Sequence, residues 1–367
     1  MRPIILLLSL GWFSCSNGQT QPTDKLRQLI PDLPVAVLED SGFNKDSIEN
    51  LLTLINNTPP NDFRGLVVIR NNQLVIEEYF NTFWRNSIHD IRSAGKSVTA
   101  MLLGIAMKDG LVQSLEQDVY SFFPKNKYPS LNKEYKQIKL THLLDMSSGL
   151  DADTDDPQSM GHSVNWIAKA DWKGYILNIP LTSEPGKRWV YADINPLLIA
   201  AIIEETSGMS LKDYAKKKLF EPLGIEQFYW YTNTADQTGA AGNLYLSTLD
   251  FAKLGVLIVN EGKWRGKQII DPGYIQKLSQ ETFDLTEDNP FADAYGMLWY
   301  KSHRTFGRKK VDYLFASGNG GNHLIVIPEE EMVIALTSSA YGQGYGHQRS
   351  YNIMSKILSS FDPTEEY

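Results

Sequence analysis

Apolar positions three and four apart mark the helices of this chain. "SIENLLTLINN" (47–57) carries one apolar stripe and reads as a short helix. "SVTAMLLGIAMKDG" (97–110) repeats the pattern and stops at Gly110. "KLTHLLDMSSGL" (139–150) predicts a second short helix. "INPLLIAAIIEETSG" (194–208) predicts another, with Pro196 near its start and Gly208 at its end. "YNIMSKILSSF" (351–361) closes the chain as a helix. Between these stand runs rich in β-branched and aromatic residues. "RGLVVIRNNQLVIEEYF" (64–80) predicts a hairpin about Asn71-Asn72, a pair that tolerates the positive φ of a tight turn. "AYGMLWYKS" (294–302), "VDYLFASG" (311–318), "NHLIVIPEE" (322–330) and "EMVIALTSS" (331–339) each predict one strand, the last two joined over Pro328–Glu331. Strands sit at both ends and helices between them. That order is α+β rather than alternating α/β. Its simplest folding is an antiparallel sheet joining both ends of the chain, with a mainly helical lobe, roughly 97–235, inserted.

The 367 residues suffice for one large core, and the formal net charge of −8 argues against a nucleic-acid partner, which needs a basic face. The first residues stand apart. One Arg precedes an apolar run from Ile4 to Phe13, too short to span a bilayer and suited to an export signal. The expected organisation is a signal segment over 1–15, a linker over 16–36 and one domain over 37–362. Cys15, the single cysteine, follows the apolar run directly. Two fates fit it: lipid attachment, which would tether the protein to a membrane, or simple secretion. In either case the mature chain has no thiol, and disulfides, a cysteine nucleophile and a cysteine zinc site are excluded.

Three segments hold candidate chemistry. Ser93 and Lys96 stand three apart where an apolar helix begins, so they share a face. The helix N-terminus favours negative charge on the hydroxyl oxygen. Burial and the same positive end favour an uncharged amine on Lys96, able to take the serine proton. A second Ser-x-x-Lys, Ser130 to Lys133, lies in a polar stretch with no such wall. Tyr191 follows a Pro-Gly turn and precedes a helix, where a phenol could relay a proton if cations lower its pKa. Small residues from Ala316 to Gly321 let a ligand approach a strand edge, with backbone N–H groups available to an oxyanion. No Gly-x-Ser-x-Gly elbow, His-Glu-x-x-His pair or Walker loop is present. The six histidines (His89, His142, His162, His303, His323, His347) lack ligand spacing and read as structural.

Taken in order, "SAGKSVTAMLLGIAMKDGLV", "KLTHLLDMSSGL", "PGKRWVYADINPLLIAAIIEETSG", "LFEPLGI" and "GNLYLSTLDFAKLGVLIVNEGKW" resemble the serine β-lactamase and penicillin-recognising family, in its class C-like branch. That branch includes D-alanyl-D-alanine carboxypeptidases, esterases and amide hydrolases similar to 6-aminohexanoate-dimer hydrolase. The resemblance runs from about Arg64 to Ser339. It implies a β-lactamase/DD-peptidase-like fold and an exported serine hydrolase, periplasmic or extracellular, that needs no cofactor or metal and takes a small ester, amide or peptide. By it Ser93 is the nucleophile, Lys96 its partner, and Tyr191 the head of the second motif and the base for water. A literal rival, Tyr231 to Asn233, lacks the flanking turn and helix. The family's Asn is replaced by Asp193, which only accepts hydrogen bonds when ionised. The third motif falls on Ala316-Ser317-Gly318, without the family's cation, which favours an esterase or amidase over an efficient β-lactamase. Asp193, Ser317, Gly318 and Asn319 are the implied substrate and oxyanion residues, with the N–H groups of Ser93 and Asn319 as the oxyanion hole. The alternative is a non-catalytic envelope protein that binds penicillin or peptide through the same cleft.

Overall fold

The computed structural model describes residues 33–307 and 309–362. Helix α1 (Lys45–Asn57) starts where the Asn44 side chain accepts the Ser47 N–H at 2.9 Å. The hairpin of β1 (Phe63–Arg70) and β2 (Gln73–Tyr79) turns through Asn71 and Asn72, at φ 50° and 59°. Both residues are left-handed, as a two-residue hairpin turn requires.

Six more strands complete the main sheet: β3 (Phe283–Asp284), β4 (Ala294–Gly296), β5 (Trp299–Phe306), β6 (Lys309–Gly318), β7 (Asn322–Ile327) and β8 (Met332–Ser338). Their spatial order is β2-β1-β8-β7-β6-β5-β4-β3, antiparallel throughout. The first and last parts of the chain therefore meet in the sheet's interior, where Val67 lies opposite Ala335 and Val68 opposite Ile334.

Successive residues on a strand face opposite ways, and helices cover both faces here. Leu66, Val68, Ile325 and Ile334 pack with Ile48 and Leu51 of α1 and with Ile353 and Ile357 of the closing helix α8 (Tyr345–Ser359). Val67, Leu324 and Val333 face α7 (Thr248–Val259) and, beyond it, the helical layer. Two buried faces explain why these strands read as unbroken apolar runs. The helical layer is built on α2 (Gly95–Lys108), packed against α6 (Ile194–Ser207), which in turn packs against the short α3 (Leu140–Leu144). Every residue of α2 from Gly95 to Ala106 is buried. It is a central helix, enclosed all round, rather than one with a single apolar face.

Two expectations need correction. "AYGMLWYKS" is two strands, β4 and β5, joined by a turn at Met297 and Leu298 with φ 56° and 59°. Neither residue type signals such a turn. Outside contacts hold it: Leu298 N–H donates to the Leu144 carbonyl (2.6 Å), the Ser97 hydroxyl donates to the Leu298 carbonyl (2.6 Å), and Met297 N–H donates to Asp145 Oδ1 (2.9 Å). Between α2 and α6, moreover, the chain is mostly turns and single-turn helices, including α4 (Ser163–Trp166) and α5 (Trp172–Ile176). A small unforeseen sheet pairs His89–Asp90 with Leu244–Leu246, and the latter with Tyr229–Trp230. It fastens the approach to Ser93 against the 231–243 loop.

Candidate active site

Ser93 is the second residue of a 3₁₀ turn, Arg92–Ala94, that runs directly into α2. The turn's first internal bond is Ala94 N–H to the Ile91 carbonyl (3.3 Å), so the Ser93 N–H precedes the ladder and has no partner within the turn. Arg92 holds φ +54°, a left-handed conformation uncommon for its type. Asp90 fixes it: Oδ1 accepts the Arg92 N–H at 2.9 Å, and Oδ2 lies 3.2 Å from Nε. The guanidinium then rests 4.2 Å above the Tyr341 ring.

Lys96 sits one turn on and is 2% exposed. Its Nζ reaches three acceptors: Ser93 Oγ at 3.1 Å, the Ala241 carbonyl at 2.6 Å and Asp193 Oδ1 at 2.7 Å. The Asp193 carboxylate beside it was not foreseen from the sequence.

Asp193 is the N-cap residue of α6, where the positive end of a 14-residue helix favours a carboxylate. The segment before it is pinned at several points. Val190 N–H donates to the Met146 carbonyl (2.8 Å), Thr154 N–H to the Tyr191 carbonyl (2.9 Å) and Asp193 N–H to Thr154 Oγ1 (2.9 Å). Tyr191 is thereby held with its ring centroid 4.9 Å from Lys96 Nζ. Burial pushes the Tyr191 phenol above the ordinary range, and the Asp193 carboxylate adds to it; hydrogen bonds from the Ser93 and Tyr300 hydroxyls act in the opposite sense. The phenol is raised overall, against the expectation that nearby cations lower it.

Strand β6 ends against the nucleophile turn. A Cβ on Gly318 would lie 2.0 Å from the Ile91 carbonyl oxygen, so only glycine permits this approach. Asn319 follows and lines the cleft; its Oδ1 accepts the Gly342 N–H (2.7 Å) and its carbonyl accepts from Asn322 Nδ2 (2.9 Å). Ser317 is not brought to the cleft. By alternation it shares a face with Phe315, and its Oγ lies 3.4 Å from His323 Nε2, which in turn lies 3.0 Å from His347 Nδ1. Ala316, which stands where the resemblance expects a cation, is buried on the α2 side.

The rival motifs separate cleanly. Ser130 and Lys133 are exposed on the surface. Tyr231 lines the cleft mouth, but Asn233 organises a turn, its amide donating to the Ala170 carbonyl and to Gln237 Oε1. Cys15 lies outside the described residues. Sequence reasoning missed Tyr300, Tyr341 and the Ala241 carbonyl. The glycines around Ala241 were the available signal: a Cβ on Gly242 would lie 3.2 Å from the Arg92 backbone.

Ser93 and Asp193 open into a cleft of roughly 640 Å³. A hydroxyl that lines this cleft thus meets an amine and a phenol behind it, at a helix start and next to a strand end.

Residues 61–356 match the family model described as beta-lactamase. The 6-aminohexanoate-dimer hydrolase of Paenarthrobacter ureafaciens is 22% identical over 342 residues, 89% of this chain and 85% of that protein. The lovastatin esterase of Penicillium rubens is 26% identical over 244 residues, 52% of this chain and 60% of the esterase. Among solved structures, a D-stereospecific amidohydrolase from Streptomyces sp. superposes with a TM-score of 0.63 at 13% identity, covering 84% of this chain and 98% of that one.

Proposed function

The chain belongs to the beta-lactamase family, and from that premise we propose that it is an active-site serine hydrolase that cleaves a small ester or amide through an acyl-serine, more readily than it opens β-lactams. The observation that carries the reading is the placement of Lys96 Nζ 3.1 Å from Ser93 Oγ, beneath Tyr191. Ser93 Oγ attacks the carbonyl carbon, and its proton passes to the Lys96 amine. The ammonium so formed is met by Asp193 Oδ1, 2.7 Å away, so the pair strengthens as charge develops. The N–H groups of Ser93 and Asn319 receive the oxyanion. Tyr191, whose raised phenol keeps its proton at neutral pH, protonates the leaving group and recovers a proton from Lys96. Water then enters where the leaving group was, and the same transfers run in reverse to free the acid. Tyr191 is here a donor first, rather than only the base that the family resemblance implied.

Ala316 in the place of a cation supports an ester or amide over a β-lactam carboxylate. The relatives named as an amide hydrolase and an esterase support the same bond classes. The apolar run from Ile4 to Phe13 fits export, with a tether at Cys15 as its further form. Ser93→Ala should abolish hydrolysis of p-nitrophenyl esters while leaving the thermal melt unchanged. Ester turnover retained in that variant would overturn the assignment.

A further inference from the structure

The cleft above Ser93 has an asymmetric lining. One wall is aromatic and aliphatic: Trp166 from α4, Trp172 from α5, and Ile167 between them, with Tyr231 opposite Trp172 at a ring distance of 5.9 Å. The two indoles are themselves packed edge to face, 5.1 Å apart, and their N–H groups are committed to the Gly161 and Ile167 carbonyls (3.0 and 3.1 Å). At 4% and 2% exposed the indoles back this wall, and its open apolar surface comes from Ile167 and Tyr231. Ile167 is 47% and Tyr231 37% exposed, large apolar side chains left open at the mouth of the cleft that holds Ser93. Exposed apolar groups that line a concavity beside reactive groups mark a ligand surface rather than ordinary scatter.

The charge in the cleft is already balanced. Its lining includes two charged side chains, Arg92 and Asp193. Arg92 has the Asp90 carboxylate 3.2 Å from Nε, and Asp193 has Lys96 Nζ at 2.7 Å. A carboxylate entering beside Asp193 would meet a fixed anion and find no cation from the third motif. The group that remains on Ser93 after the first step is the acyl group. It must stay lodged through both halves of the reaction, and the cleft opening directly from Ser93 is where it can lie.

Resting on the hydrolase reading above, we propose that this wall is an acyl pocket, and that the substrate carries an uncharged, apolar acyl group of the size of a medium alkyl chain or an aryl ring. Burial of each added methylene against Ile167 and Tyr231, backed by Trp166 and Trp172, strengthens binding in the acyl-enzyme and its flanking transition states. An acyl group ending in a carboxylate loses that gain to desolvation.

The test compares three p-nitrophenyl esters with one leaving group: the acetate, the hexanoate, and the hexanedioate half-ester, whose chain ends in a carboxylate. On the full chain, kcat/KM for the hexanoate should exceed that for the acetate by about tenfold or more, and that for the half-ester by at least as much. In Ile167→Asp, a change at an exposed position, the hexanoate-to-acetate ratio should fall about tenfold; Tyr231→Ser should lower it in the same direction if the aspartate variant melts early. Equal rates for hexanoate and half-ester, or a ratio unmoved in both variants, would overturn the inference. Intact-mass detection of acetyl-Ser93 separates the two failures. An acetyl adduct with no chain-length preference removes only the acyl pocket, whereas no adduct from any ester removes the hydrolase reading and the pocket with it.

Discussion

Asp193 ties the candidate chemistry together, and it does so in two directions at once. It accepts from Lys96 Nζ at 2.7 Å and raises the Tyr191 phenol through its charge. Asp193→Asn keeps the shape and removes that charge. The phenol is then held up by burial and the Asp155 charge, so its pKa falls and the alkaline limb of the kcat profile should move to lower pH. The ammonium formed from Lys96 loses its counter-ion, and kcat should drop by about tenfold or more. A pH–rate profile on p-nitrophenyl acetate checks both, and an unmoved alkaline limb would remove Asp193 from the proton path. Ser93, Lys96 and Tyr191 were legible in the sequence because each stands in local context: a hydroxyl and amine one turn apart at a helix start, and a phenol between a turn and a helix. The link from Asp193 to Lys96 was not legible. It joins two helix N-termini distant along the chain, and no local pattern records which termini converge. Ser317 was misplaced for a related reason, since one step along a strand changes the face on which a side chain stands.

Among the elements, those fixed by their own residues were readable and those fixed by neighbours were not. The β1–β2 turn announces itself through two asparagines. The β4–β5 turn puts Met297 and Leu298 into the same left-handed region and is held from outside, by the Leu144 carbonyl, Ser97 and Asp145. This turn bears directly on α2, so the far hairpin helps to hold the helix that carries Lys96. Gly318 brings the end of β6 against the Ile91 carbonyl, just before the turn that carries Ser93 into α2. Helix α2 is therefore set between a hairpin and a strand end. The rigidity that two proton-transfer groups need comes from this enclosure, as Gly95 to Ala106 are all buried.

At the scale of the molecule, the antiparallel sheet closes the chain on itself, with β1 paired to β8, as the order of strands and helices predicted. Several titratable groups are sealed in that closure. Burial lowers His89 to about 4 and His323 to about 3, and lowers His347 as well. In the unfolded chain each returns to about 6.5. Their contribution to stability is present above pH 6.5 and is lost as pH falls toward the folded values. Asp90 and Asp145, raised by burial, and His303, raised by its hydrogen bond with Asp312, work the other way. The histidine shifts are the larger. The melting temperature should therefore fall steadily between pH 7 and pH 4.5, and a melt flat across that range would contradict the sealed histidines. The histidines read as structural from the sequence are so at His89, which lies 3.0 Å from the Ser338 carbonyl and from the Tyr341 hydroxyl.

The account depends on Lys96 and Tyr191 serving Ser93 as one unit, although they come from separate helix starts. A double-mutant cycle on p-nitrophenyl acetate hydrolysis measures that directly. Lys96→Ala and Tyr191→Phe should each lower kcat by about a hundredfold or more, and the double variant should lose little beyond the worse single one. Losses that multiply independently in the double variant would mean that the amine and the phenol act apart, and would contradict the convergence on which the account rests.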